Sequence, residues 1–435
     1  MMDRYTDCCN YILDIPKFAG KNTLNDTHVL LEHVYNEGSS RVVHIAGTNG
    51  KGSTTLYLCT ILQEMGFKVG MFTSPHLVRM NERIKVNNEE ISNEDFVECF
   101  EDIKRILKEE GSVAHPSFFE FLFLMAMDYF AKRKVDYIVL ETGLGGRLDA
   151  TNCIIRKDLS IITKIGMDHM EYLGDTLDAI AYEKAGIIAK DVPTVVYDSE
   201  DIAFDVISRV AKERNSTCYP ISAENIKILL QNKQIIDFSI GCRYYRLGGL
   251  RLKTAATYQV MNASLAVMAA FCLENEKFSQ EIVQSSLLKA FWPGRMEEIL
   301  PEVYLDGAHN VDGIQAFLAS VKSHIFDDES SYLNGGNQHR LLLFSVVKDK
   351  EYTKMIDLIV GSKLFDRVYT APLDSDRKTD LGTLKDVFGK YDIDARFFDG
   401  VDDAYEQALE DKKPGDILYI AGSLYLVGRI KATLG

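Results

Sequence analysis

The chain has 435 residues, 46% hydrophobic and 26% charged, enough for two or three domains with cores of their own. Its formal net charge of −15 excludes general binding along a nucleic-acid backbone, which needs a basic surface. The eight cysteines form no C-x-x-C pair, which argues against a zinc knuckle or a redox motif.

The first residues, MMDRYTDCCNYIL, lack a basic stretch leading into an apolar run, so no signal peptide is expected. No apolar run reaches the ~18 residues of a membrane span. The expected setting is a reducing cytoplasm.

Further along, short apolar runs end at polar turns. RVVHIAG ends at Gly47, KVGMFTS at Ser74, VDYIVLETG near Glu141 and LSIITKIGMDH at His169. Helix-like stretches at 53–65, 93–109, 116–131 and 175–189 separate them. Buried strands alternating with helices predict a parallel sheet with right-handed crossovers. Ligands of such sheets sit beyond the carboxyl ends of the strands, so the 47–54 loop, Ser74, Glu141 and His169 should converge on one edge.

Residues 222–252 alternate and are rich in turn residues, which predicts a small antiparallel region. A helix is expected near 257–274. The Pro-Gly of WPGR, 292–295, marks a boundary between domains 1–294 and 295–435. Beyond it VYLDGAHN, RLLLFSVVKDK, RVYTAPL, ARFFDG and DILYIAGS read as five strands. Helices near 312–322, 351–360, 380–390 and 401–410 complete a smaller, Rossmann-like α/β domain. Residues 326–339 are expected to form an exposed loop.

The stretch HIAGTNGKGSTTLYLCTIL departs from the common phosphate loop, G-x-x-x-x-G-K-S/T. Ile45 stands where the first Gly belongs, and Gly52 follows Lys51 where Ser or Thr belongs. It still joins an apolar strand to an amphipathic helix. Gly47, Gly50 and Gly52 let the backbone approach a ligand, and Lys51 reaches for outer phosphates.

Glu141 suits Mg²⁺, which takes few protein ligands, or else caps a helix. Ser74 is a turn residue or an oxygen donor to a metal. A lone His169 is an unusual Mg²⁺ ligand, since imidazole prefers softer ions. Arg147 and Asp149 either orient a substrate or form a surface ion pair. Residue type alone makes Lys184 a solvated lysine. Arg295, Asp306 and His309 border the second domain, where an Arg and an Asp suit a nucleotide's phosphate and ribose.

Together GTNGKGS, SPHL, ETGLGGRLDATN, DHxxxLG, EKAGI, NAxxA, PGR, DGAHN, FSVVKDK and GSLYLVG run in order from residue 47 to 428. This series resembles the folylpolyglutamate synthases and bifunctional dihydrofolate synthase/folylpolyglutamate synthases of the Mur ligase superfamily. The resemblance implies an ATP-dependent acid–amino-acid ligase. A pterin substrate's carboxylate becomes an acyl phosphate, which the amine of L-glutamate attacks.

Gly47, Thr48, Asn49, Gly50, Lys51, Gly52, Ser53, Asn262, Arg295 and Asp306 match ATP-binding positions. Ser74 and Glu141 match ligands of one Mg²⁺ and His169 of a second, and Lys184 matches a lysine that the family carbamylates. Ser117, Phe118, Phe119 and Glu120, with Leu148, Asp149 and Ala150, match pterin-binding positions. His309 and Ser345 are glutamate-site candidates. The resemblance also suggests a monomer and leaves room for K⁺.

One departure is Tyr258-Gln259, where the family often has His-Gln. A cell-wall Mur ligase fits less well, having GKT for GKGS and usually a further N-terminal domain. A phosphate-loop switch would need no second domain. Whether the enzyme also uses dihydropteroate stays open, and the reading leans to both activities.

Overall fold

In the first half, the apolar runs become the strands of one sheet. The computed structural model describes residues 2–16, 23–111, 113–328, 338–375 and 377–434. After helices α1 (Met2–Asp14) and α2 (Leu24–Glu32) come β1 (Arg41–Ala46), α3 (Lys51–Glu64), β2 (Val69–Phe72), β3 (Ile84–Val86) and β4 (Glu89–Glu90). The chain continues through α4 (Asn93–Glu110), α5 (Phe118–Arg133), β5 (Tyr137–Glu141), β6 (Leu159–Ile162), α6 (Met170–Leu173) and α7 (Leu177–Ala185). Then follow β7 (Thr194–Tyr197), α8 (Ile202–Glu213) and β8 (Cys218–Ile221).

These strands make an eight-stranded sheet in the order β4-β3-β2-β5-β1-β6-β7-β8. From β2 to β8 every neighbouring pair is parallel, and β3 and β4 add an antiparallel edge. The central strands are mostly apolar because both faces are covered: every residue of β5 and β2 is buried. Helix α4 buries Phe96, Cys99, Phe100, Ile103 and Ile106 at three- and four-residue spacing, starts at the Ser92 cap and stops at left-handed Gly111. Helix α5 is apolar over most of its surface, and Phe121 to Phe130 are all buried, Asp128 among them.

Next are β9 (Ile226–Gln231), β10 (Ile236–Gly241) and β11 (Arg246–Leu252), a separate sheet with β10 in the middle. Helices α9 (Gln259–Leu273) and α10 (Gln280–Lys289) follow. The last part runs β12 (Arg295–Leu300), β13 (Val303–Asp306), α11 (Val311–Asp328), β14 (Arg340–Phe344), α12 (Tyr352–Ser362), β15 (Arg367–Thr370) and α13 (Leu381–Phe388). It ends with β16 (Asp394–Phe397), α14 (Val401–Asp411), β17 (Ile417–Ala421) and α15 (Leu424–Leu434). Its sheet has the order β12-β13-β17-β14-β15-β16, parallel except for the β12–β13 pair.

The α/β class and the five expected strands of the second sheet are therefore present. Two expectations change. Arg295 opens a sixth strand, β12, and α11 continues to Asp328, so 326–328 are helical; residues 329–337 of the expected loop lie outside the described residues.

The chain divides into two compact units. One holds Met1–Lys227, Ser239–Leu250 and Met261–Ala290; the other holds Ile228–Phe238, Arg251–Val260 and Phe291–Gly435. Among the described residues no helix is long and apolar enough to cross a membrane.

Candidate active site

Strand β1 delivers the glycine loop to the start of α3. The loop is stitched to the chain leaving β6: Thr48 and Asn49 amides donate to Lys164 O, and the Thr163 hydroxyl donates to Asn49 O at 2.8 Å. Gly47 has φ +155, and a Cβ there would fall 1.8 Å from Thr163 Oγ1. Gly50 caps α3 at φ +90, where a Cβ would fall 2.2 Å from Asn262 Oδ1. So Asn262, expected at the nucleotide, packs directly on the loop.

Gly50→Ala forces a left-handed alanine, costing roughly 1–2 kcal/mol, and also displaces Asn262. We expect nucleotide affinity, followed by titration with ADP, to fall about tenfold or more. Unchanged affinity would show that the loop tolerates a Cβ.

Three strand ends meet at this loop, as the sheet order β2-β5-β1 requires. Lys51 Nζ donates to Thr48 O at 3.3 Å and lies 3.9 Å from Glu141 Oε1. The Ser74 amide donates to Glu141 Oε2 at 3.1 Å. Ser74 thus engages the carboxylate through its backbone. Glu141 is buried, 4% exposed, a carboxylate held at the edge of a phosphate-type loop.

Lys184 is the largest departure from its residue-type reading. It is 4% exposed, and its ammonium donates to Gly47 O at 2.8 Å. Burial, helped by the nearby Lys51 charge, lowers its pKa to about 7. His169 adopts φ +52 at the start of α6, and its side chain is 40% exposed. Its amide donates to Asp168 Oδ1 at 2.8 Å, and its Nε2 stands 3.9 Å from Asp168 Oδ2. Asp168 is buried and acts electrostatically on Lys184; the sequence reading missed it.

The expected pterin positions lie at the start of α5 and in the loop that follows β5. Ser117 and Glu120 form a capping box at the start of α5, each side chain bonded to the other's backbone. Phe118 lies under the Arg83 guanidinium, 5.3 Å from ring centre to Cζ, and Phe119 packs on Phe72. Leu148 is 68% exposed, whereas Asp149 and Ala150 are buried. Among the described residues the Asp149 carboxylate bonds to neighbours in its own loop: the Gly143, Leu144 and Thr151 amides and the Thr151 hydroxyl. Arg147 pairs with Glu183 at 2.8 Å, on the surface.

In the second unit Asp306 is 2% exposed. It accepts from the Tyr258 hydroxyl at 2.5 Å and from the Met296 and Ala308 amides. Burial raises its pKa against the opposing effect of Arg295. Tyr258, the departure from the family spelling, thus bonds to a residue expected at ATP. Arg295 Nη1 donates to Gly294 O. His309 Nδ1 donates to Gly307 O at 2.7 Å, and the buried Ser345 hydroxyl donates to Ala371 O at 2.7 Å. His309 and Ser345 follow the carboxyl ends of β13 and β14.

Among the described residues no three His, Cys, Asp or Glu groups form a ready metal cage. A buried carboxylate beside a phosphate loop instead fits a hard cation held mainly by nucleotide oxygens and water.

Residues 45–270 match the Mur ligase middle domain, and residues 294–424 match the Mur ligase, glutamate ligase domain. The chain is 34% identical over 448 residues to the dihydrofolate synthase/folylpolyglutamate synthase of Bacillus subtilis (strain 168), covering 100% of both. The chain belongs to the dihydrofolate synthase/folylpolyglutamate synthase family of Mur ligases. This Mur ligase is also 28% identical to the folylpolyglutamate synthase of Lacticaseibacillus casei, over 99% of this chain and 98% of that one. Among solved structures it resembles E. coli FolC in complex with DHPP and ADP: TM-score 0.85, 26% identity, covering 99% and 97% of the two chains. It likewise resembles the Yersinia pestis bifunctional enzyme complexed with AMPPNP and Mn ion: TM-score 0.85, 28% identity, covering 99% and 98%.

Proposed function

We propose that this ligase adds L-glutamate to folates at the expense of ATP, and that it also joins dihydropteroate to L-glutamate to make dihydrofolate. One observation carries the reading: at the loop that follows β1, Lys51 lies 3.9 Å from Glu141 at the end of β5, and the buried Lys184 donates to Gly47 O. Residues 1–294 carry the phosphate loop and the pterin positions, and residues 295–435 serve the glutamate step and add Arg295 and Asp306 for the nucleotide.

The loop amides and Lys51 hold the terminal phosphates, and the start of α3 adds its N–H groups. Phosphoryl transfer then needs mostly positioning and charge neutralisation. The substrate carboxylate oxygen attacks the γ-phosphorus, the bond to ADP breaks, and an acyl phosphate forms. The glutamate amine attacks the acyl carbon, loses a proton and expels phosphate. Glu141, with Ser74, would hold one divalent cation, and His169 with carbamylated Lys184 a second; such ions neutralise charge on the transferring phosphoryl group. Arg295, Asp306 and Asn262 are assigned to the nucleotide, and His309 and Ser345 to glutamate.

The test is mass spectrometry of products formed from ATP, Mg²⁺ and L-glutamate with dihydropteroate in one tube and tetrahydrofolate in another. Addition of one glutamate in the first tube and one or more in the second is expected. Addition only in the second limits the enzyme to extending folates. Addition in neither overturns the proposal.

A further inference from the structure

His44 lies in the middle of β1, fully buried, with β5 on one side and β6 on the other. Its neighbours in the strand are Val43 and Ile45, and nothing in the packing of a central strand calls for an imidazole there. The ring is 2.7 Å from Thr151 Oγ1 through Nε2. The Thr151 hydroxyl in turn is 2.5 Å from Asp149 Oδ1, which also accepts the Thr151 amide. The other carboxylate oxygen accepts the Gly143 and Leu144 amides, both at 2.9 Å.

Donor direction along this chain follows from the ionised form of Asp149. Burial raises the Asp149 pKa, and against it three backbone N–H groups and the Thr151 hydroxyl aim at the carboxylate and favour its charged, accepting form. Thr151 has one hydroxyl proton and gives it to Asp149, so its oxygen must receive a proton from His44. The ring therefore carries hydrogen on Nε2 and a bare lone pair on Nδ1. That Nδ1 is buried and has no hydrogen-bond partner among the described residues. An unsatisfied buried acceptor is a cost that an apolar side chain of similar size would remove. The donor at Nε2 is what such a replacement would lose.

We propose that His44 is a positioning residue for the 143–151 substrate loop, acting through Thr151 and Asp149. The inference rests on reading that loop as part of the pterin site. A strand hydrogen-bonded on both sides is a fixed reference. From it the Asp149 carboxylate is held in place, and from Asp149 both the Gly143–Leu144 turn and the start of the Ala150–Cys153 turn are set. The exposed Leu148 and the buried Ala150 stand on the segment so anchored. The same strand leads three residues later into the phosphate loop, so one rigid element positions both.

The experiment compares His44→Leu, Thr151→Val, their double variant and His44→Gln, whose amide can donate from the place of Nε2. Hydrogen exchange at the Gly143, Leu144 and Thr151 amides is measured first, without ligand. Exchange should rise about tenfold or more in both single variants, with α3 amides unchanged, and His44→Gln should restore protection. In steady-state assays, KM for the pterin substrate should rise by about tenfold, the size of one lost hydrogen bond to a charged group, with KM for ATP within about twofold.

The double variant should be no worse than the worse single one, because both break the same link. Unchanged exchange, equal rises in both KM values, or multiplying effects in the double variant overturn the inference. If His44→Leu fails to fold, Thr151→Val breaks the link from the other end and is read alone. If the wild type adds no glutamate to any pterin, the functional reading falls while the exchange pattern still decides the role of His44.

Discussion

Glu141→Gln is expected to lower turnover at least about 10²–10³-fold, the loss seen when one transition-state electrostatic contact is removed, with little change in unfolding temperature. Glutamine keeps the shape of the side chain, and its carbonyl oxygen can still accept the Ser74 amide, 3.1 Å from the present carboxylate. The apolar core around β5 is untouched. What disappears is the negative charge 3.9 Å from Lys51 and the hard oxygen ligand proposed for the cation beside the phosphates.

The defect should sit in kcat and in the Mg²⁺ concentration needed for half-maximal rate, more than in KM for the pterin. Parallel thermal unfolding separates loss of chemistry from loss of fold. Wild-type turnover would remove Glu141 from the site. Unfolding by many degrees would mean that its charge mainly balances Lys51, a structural pair of the kind whose rupture leaves a buried charge uncompensated.

Much of the fold was legible because the two sheets write strongly in sequence. Strands such as YIVLE and ILYIA are buried on both faces and read as continuous apolar runs. Helices predicted at 93–109 and 401–410 fall within one residue of α4 and α14, since each buries one stripe at helical spacing. Strand β12 was not legible. Its sequence, RMEEIL, is half charged, it lies on the edge of its sheet, and its pairing with β13 shifts register twice. Helices α1 and α2 escape a pattern built on strand ends, because both precede the first strand.

For the site, loops at strand ends could be located because a parallel sheet gathers them, and Lys51, Glu141 and Ser74 do meet. Burial of a charged residue could not be read. Lys184 lies on a nine-residue helix whose pattern would suit a surface lysine, and only the tertiary fold buries it against Gly47. Asp168 and His44 were missed likewise, each beside a residue that drew attention for its motif. The bond from Tyr258 to Asp306 joins residues 48 apart, and no local pattern signals it.

Lys184→Ala is expected to be inactive, down by about 10²–10³-fold or more, and to regain part of its rate with a small carboxylic acid such as acetate. Carbamylation joins the neutral amine to CO₂, giving a carbamate anion and releasing H⁺, so a protonated lysine cannot react. An ordinary lysine, with pKa ~10.4, is less than about one part in 10³ neutral at pH 7. Lys184 is brought to about 7 by burial and by Lys51, so roughly half would be neutral there.

Below 7 the neutral fraction falls about tenfold per unit, and above 7 it saturates. Enzyme stripped of CO₂ should recover activity on adding bicarbonate at pH 8 and far less at pH 6. The carbamate nitrogen keeps one hydrogen, so the bond to Gly47 O survives the modification. The charge at the site changes from +1 to −1, which favours attraction to Lys51 and creates repulsion from Asp168 unless a cation lies between them. Acetate in the cavity left by alanine would restore that anion without its tether, hence a partial rescue. Full activity of Lys184→Ala without acetate, or recovery independent of pH, would remove the carbamate from the mechanism and leave Lys184 as a buried donor to the phosphate loop.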